Sequence, residues 1–143
     1  MNIYVASSWR NKKHPEIVKL LEDLGYSVYD YRNPPNKTGF TWAQVLPNWM
    51  NATPQEFRDM LDNPLTEAAF NSDFNELDAA DLCVLLLPCG RSAHLEAGYA
   101  VGCGRNLIIL QEESCEPELM YKMANYLCID REELVEAVKL CLG

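Results

Sequence analysis

Residues 82–105, LCVLLLPCGRSAHLEAGYAVGCGR, decide the fold. The first six are an unbroken apolar run, the pattern of a strand covered on both faces at the centre of a parallel sheet. Pro88-Cys89-Gly90-Arg91-Ser92 breaks the run, and residues 92–102 follow as a helix built on small side chains. A buried strand that turns directly into a helix is half of a βαβ unit. One carboxylate, Glu96, stands among the Ala, Leu and Gly of that helix. An acid early in a helix complements the positive end of the macrodipole, so Glu96 is either a dipole partner or a reacting group.

Working outward, residues 2–6 (NIYVA) read as a first strand. His14-Pro15 opens a helix with Pro at its first position, Ile17, Val18, Leu20, Leu21 and Leu24 make its apolar face, and Gly25 stops it. Residues 26–31 alternate as a second strand. The rhythm then breaks. Asn33-Pro34-Pro35-Asn36 is a loop, and Phe40, Trp42 and Trp49 follow as lid or core aromatics. Thr53 and Glu56 form a capping box for a short helix to about Leu61, and Asn63-Pro64 starts another to about Ala80. Beyond the central stretch come a strand at 106–111, a helix at 117–125 and a short edge strand from Tyr126. Asp130 with Glu133 caps a last helix ending near Leu142.

The expected architecture is one α/β domain over residues 1–143, with an aromatic-rich insert at about 33–60. Its core is a small doubly wound parallel sheet, flavodoxin- or Rossmann-like, with helices on both faces. Such sheets bind ligands outside the carboxyl ends of their strands.

Composition narrows the function. The formal net charge of −9 leaves no basic stripe for an extended nucleic-acid backbone, although one or two local arginines can still hold a small anion. The start, MNIYVASSWR, reads as a strand rather than a leader, and no apolar run approaches the ~20 residues of a membrane span. No membrane partner is expected, and the expected location is the cytoplasm. Six cysteines without a CxxC pair, and only two histidines, argue against a structural zinc site and for free thiols. No metal or cofactor is expected.

The carboxyl-end rule sorts the polar residues. Ser7, Ser8, Trp9 and Arg10 follow the first strand; Gly90, Arg91, Ser92, His94 and Glu96 follow the central one. Ser8, Arg10, Arg91 and Ser92, with the free N–H groups of a helix start, make an anion-holding set. The glycines lie within or after the helix, so neither a Walker loop nor a dinucleotide fingerprint is present. His94 reads as a pocket wall or hydrogen-bonding partner rather than a base.

In combination these residues carry more. Residues 3–10 (IYVASSWR), Asn71-Ser72-Asp73 with Ala79-Ala80-Asp81, and residues 92–99 (SAHLEAGY) together resemble the nucleoside 2-deoxyribosyltransferase family, in order and in spacing. The resemblance runs from Asn2 to about Met123. It implies that Glu96 attacks the anomeric carbon of a nucleoside to form a covalent glycosyl-enzyme. It further implies that Asp73 assists departure of the base and that Tyr4 orients Glu96. An ionised carboxylate suits an oxocarbenium-like transition state, and the leaving base needs an acid.

One branch of that family exchanges bases between nucleosides; another hydrolyses deoxynucleoside 5′-monophosphates. Ser8, Arg10 and Ser92 match the phosphate-holding positions of the second branch, whereas Trp9 is closer to the first. Gly90-Arg91 stands where the transferases carry an acid, which favours a nucleotide. The resemblance also implies a homodimer or higher homo-oligomer, in which Tyr121 and Met123 reach a neighbouring subunit's site. Tyr121 replaces a small polar residue there. The competing expectations are a non-catalytic nucleotide-binding or sensor module and an NAD-glycohydrolase-like enzyme.

Overall fold

A computed structural model describes residues 1–143 throughout. In chain order the elements are β1 (Asn2–Ala6), α1 (His14–Asp23), β2 (Ser27–Tyr29), α2 (Trp42–Val45), α3 (Pro54–Met60), α4 (Pro64–Ala79), β3 (Leu82–Leu86), α5 (Arg91–Gly102), β4 (Asn106–Leu110), β5 (Tyr126–Cys128) and α6 (Arg131–Leu142). Two 3-10 turns, Trp49–Asn51 and Leu119–Met123, complete the chain. The residues divide into two compact units, one of residues 1–30 with 77–143 and one of residues 31–76.

The first unit holds the sheet, five parallel strands in the order β2-β1-β3-β4-β5. This is the flavodoxin-like order, with its reversal between β1 and β3. Every residue of β3 is buried, as its apolar run requires. Side chains alternate across the sheet. Ile3, Val5, Val84 and Ile108 join a core with Ile17 and Leu21 of α1 and Leu134 and Val138 of α6. Tyr4, Ala6, Cys83 and Leu85 have the opposite parity. On that side α5 packs against β1, β3 and β4, with Ala93, Ala97 and Ala100 buried. Truncating a fully buried residue such as Ile108 to Ala should cost about 2–5 kcal/mol.

Glycines end α1 and α5 in the same way. Gly25 (φ +92°) and Gly104 (φ +77°) adopt the left-handed conformation that closes a Schellman motif. Each motif has its paired bonds: Tyr26 N–H to Leu21 O and Gly25 N–H to Glu22 O, then Arg105 N–H to Ala100 O and Gly104 N–H to Val101 O. Asp81, at the entry to β3, accepts from the Asn2 N–H at 2.8 Å and fixes the start of β1.

In the second unit the aromatics pack on one another. Trp42 meets Phe40 edge-on at 5.0 Å and Phe57 at 6.2 Å, whereas Trp49 stays exposed. Trp42 is therefore a packing residue of this unit. The Thr53–Glu56 capping box forms as the sequence indicates, with both bonds at 3.2 Å.

Two local expectations need correction. The helix expected at 117–125 is only the 3-10 turn Leu119–Met123. Asn125 exchanges two 2.8 Å bonds with the Leu107 backbone, which draws the chain into β5 and keeps residues 124–125 out of any helix. Within the insert, α2 and the turn Trp49–Asn51 were not expected. No helix is long and apolar enough to cross a membrane.

Candidate active site

The loops leaving β1 and β3 meet at the reversal of strand order. The Ser7 hydroxyl donates to the Leu86 carbonyl at 2.9 Å, and the Asn11 side-chain amide donates to the Pro88 carbonyl at 3.2 Å. Ser8 accepts the Arg10 N–H on its hydroxyl at 3.2 Å, an ST-turn that shapes the first loop. Asn11 was not singled out from the sequence. Its position four residues before Pro15, in a loop of Ser and Asn, is a turn signal that could have found it.

At this junction Tyr4 donates a hydrogen bond to the Glu96 carboxylate. The contact follows from parity and register. Tyr4 points to the α5 side of the sheet, where Ala93, Glu96, Ala97 and Ala100 share one helix face. Tyr4 is 1% exposed and stacks on Tyr29, its register partner on β2, at 5.7 Å. The ring is thus held while its hydroxyl meets the half-buried acid.

Glu96 is the sixth residue of α5, and the helix has no acid in its first turn. The macrodipole's influence fades beyond that turn, so the dipole does not explain the position of Glu96.

The thiols beside Glu96 stay protonated. Burial, reinforced by the Glu96 charge, pushes Cys83 up to about 12 and Cys89 up to about 11. Neither offers a thiolate near neutral pH.

His94 is tied at both ring nitrogens. Nδ1 lies 2.7 Å from the Gly90 carbonyl, which can only accept, so Nδ1 carries the proton. With the proton on Nδ1, Nε2 accepts from the Tyr121 hydroxyl at 2.9 Å, and the two rings stack at 5.8 Å. Burial raises the Tyr121 pKa, which keeps that hydroxyl a donor.

Gly90 is the N-cap of α5 and provides no side-chain cap. Arg91 and Ser92 lie exposed in the first turn, with Trp9 and Arg10 exposed on the neighbouring loop. Met123 ends the Leu119–Met123 turn, half exposed. Asp73 is a half-buried residue of α4 in the second unit. No group of three or more His, Cys, Asp or Glu converges to hold a metal.

No protein-family model and no curated protein matches this sequence. Solved structures do. The 2-deoxyribosyltransferase of Bacillus psychrosaccharolyticus is similar at a TM-score of 0.61 and 17% identity, over 94% of this chain and 90% of that one. The Clostridium botulinum CMP N-glycosidase BcmB is similar at a TM-score of 0.52 and 15% identity, over 97% of this chain and 99% of that one. The shared feature is the fold, matched almost end to end.

Proposed function

We propose that this chain breaks the N-glycosidic bond of a nucleoside or nucleoside 5′-monophosphate, with Glu96 as nucleophile. One Glu96 oxygen attacks C1′, the C1′–N bond breaks, and a glycosyl ester forms on the carboxylate. Asp73 supplies a proton or hydrogen bond to the departing base. Water or a second base then attacks C1′ and frees Glu96, giving hydrolysis or transfer.

The observation that carries this reading is the Tyr4–Glu96 hydrogen bond at the junction of the β1 and β3 loops. A carboxylate held on one oxygen by a buried, stacked tyrosine keeps its other oxygen aimed, which is the pre-organisation a nucleophile needs. The reading is further supported by the two structural neighbours, a 2-deoxyribosyltransferase and a CMP N-glycosidase. The first has the activity of the family that the sequence motifs resemble.

The phosphate of a monophosphate would lie at the start of α5, held by Ser8, Arg10, Arg91, Ser92 and the uncapped N–H groups after Gly90. We assign Trp9 and Met123 to the walls of the substrate site, and the working assembly to a homo-oligomer.

The test is a chromatographic screen of nucleosides, nucleoside 5′-monophosphates and NAD for released base, with and without a second base as acceptor. Release from a nucleoside or monophosphate supports the proposal. Release of nicotinamide alone points to an NAD-cleaving enzyme, and tight binding without release to a sensor.

A further inference from the structure

We infer that Tyr121 and His94 form a latch within one chain that aims the Arg91 N–H at the 5′-phosphate, making both positioning residues for monophosphate substrates. The inference rests on the function proposed above. Its starting point is the Gly90–Arg91 peptide. Because a peptide unit is planar and trans, its C=O and N–H point in opposite directions, and holding one aims the other. The Gly90 carbonyl is held by the His94 ring at 2.7 Å, beside the backbone bond from the His94 N–H at 3.4 Å. With that carbonyl turned along α5, the Arg91 N–H points out of the helix start, where no intrahelical acceptor exists.

The His94 ring is itself oriented from outside the helix. Tyr121 donates to Nε2 at 2.9 Å, which fixes the tautomer with the proton on Nδ1, the form that can hold Gly90. Stacking of the two rings restricts their rotation. Within this chain the Tyr121 hydroxyl is thereby engaged by His94 of the same subunit. A small polar residue at 121 would lack the reach to make this bond. The latch therefore accounts for a tyrosine at this position.

The test compares wild type, Tyr121→Phe, His94→Ala and the double variant on CMP, dCMP and the corresponding nucleosides. Loss of one hydrogen bond should raise KM for the monophosphate roughly three- to tenfold in Tyr121→Phe. The nucleoside KM and both kcat values should move by less than about twofold, within the noise of one weak contact. The double variant should be no worse than His94→Ala, because both substitutions break one latch. An unchanged monophosphate KM, equal rises for both substrates, or additive losses would each overturn the inference.

If wild type releases base from no substrate, the proposed function fails and the latch is judged by amide hydrogen exchange. Faster exchange in Tyr121→Phe at the His94 amide, which bonds the Gly90 carbonyl, then supports it, and unchanged exchange there overturns it.

Discussion

The Tyr4 hydroxyl on β1 donates to the Glu96 carboxylate on α5 across 92 residues of sequence. Neither residue is remarkable alone: one is a strand tyrosine, the other a helix acid beyond the reach of the dipole. The sheet brings them together because β1 pairs directly with β3, the strand that leads into α5, Tyr4 has the α5-facing parity, and α5 buries small alanines that let it sit close.

Tyr4→Phe keeps the ring and its stack on Tyr29 and deletes only the donor. A hydrogen bond to a charged group contributes about 1.5–3 kcal/mol, so kcat should fall about ten- to hundredfold while the fold persists by circular dichroism. Steady-state kinetics on the best substrate of the screen decides the matter. An unaltered kcat would remove Tyr4 as the orienting group.

For Asp73→Asn, the loss should depend on the leaving group. General acid catalysis contributes about 10²- to 10⁴-fold, so a base that needs protonation should suffer strongly. A nucleoside with an already activated leaving group should suffer little. Equal losses on both would give Asp73 a role other than acid.

Alkaline pH should weaken the fold. Burial raises Cys83 to about 12 and Cys128 to about 11, from an ordinary thiol value of 9.0. The folded chain thus keeps protons that the unfolded chain releases, so this contribution is intact below about pH 9 and drains as pH rises through about 11 to 12. Urea midpoints should fall over that window, and less in Cys83→Ala. At Cys89 the Glu96 charge adds to burial. Glu96→Gln should therefore lower its pKa and speed iodoacetamide labelling at a fixed, mildly alkaline pH; slower labelling would contradict this placement of charge.

Arg131, at the start of α6, bonds Glu16 of α1 at 2.7 Å and reaches Glu112 after β4 at 3.5 Å. The arginine side chain is 39% exposed, so solvent screens the pairs. Arg131→Ala should cost about 0.5–1 kcal/mol in thermal unfolding, and the gap should narrow in about 1 M salt. A larger, salt-insensitive loss would mean that packing of the stem dominates.

Much of the fold was legible because its signals are local. The apolar run at 82–86, Pro15 at the start of α1 and the capping boxes each depend on residues a few positions apart. The four-residue α2 carries such a signal too: Gln44 accepts from the Thr41 N–H at 2.7 Å, a Thr-x-x-Gln spacing set among aromatics. The turn at 119–123 was not legible as such. Its shape is set by Asn125 pairing with Leu107, a contact between elements that no local pattern encodes. The same division runs through the candidate site. Glu96 and the Arg91-Ser92 turn stand out in sequence as polar residues after an apolar strand. The stack of Tyr4 on Tyr29 and the His94–Tyr121 pair depend on strand register and on a turn brought back over α5.

The central claim, that Glu96 is the nucleophile, is tested most directly by mass mapping of the protein quenched during turnover, in parallel for wild type and Glu96→Gln. A glycosyl adduct on the peptide carrying Glu96 in wild type is the predicted result, with Glu96→Gln forming no adduct and losing at least about 10³-fold in base release. Base release by Glu96→Gln at the wild-type rate, or an adduct on another residue, would contradict it.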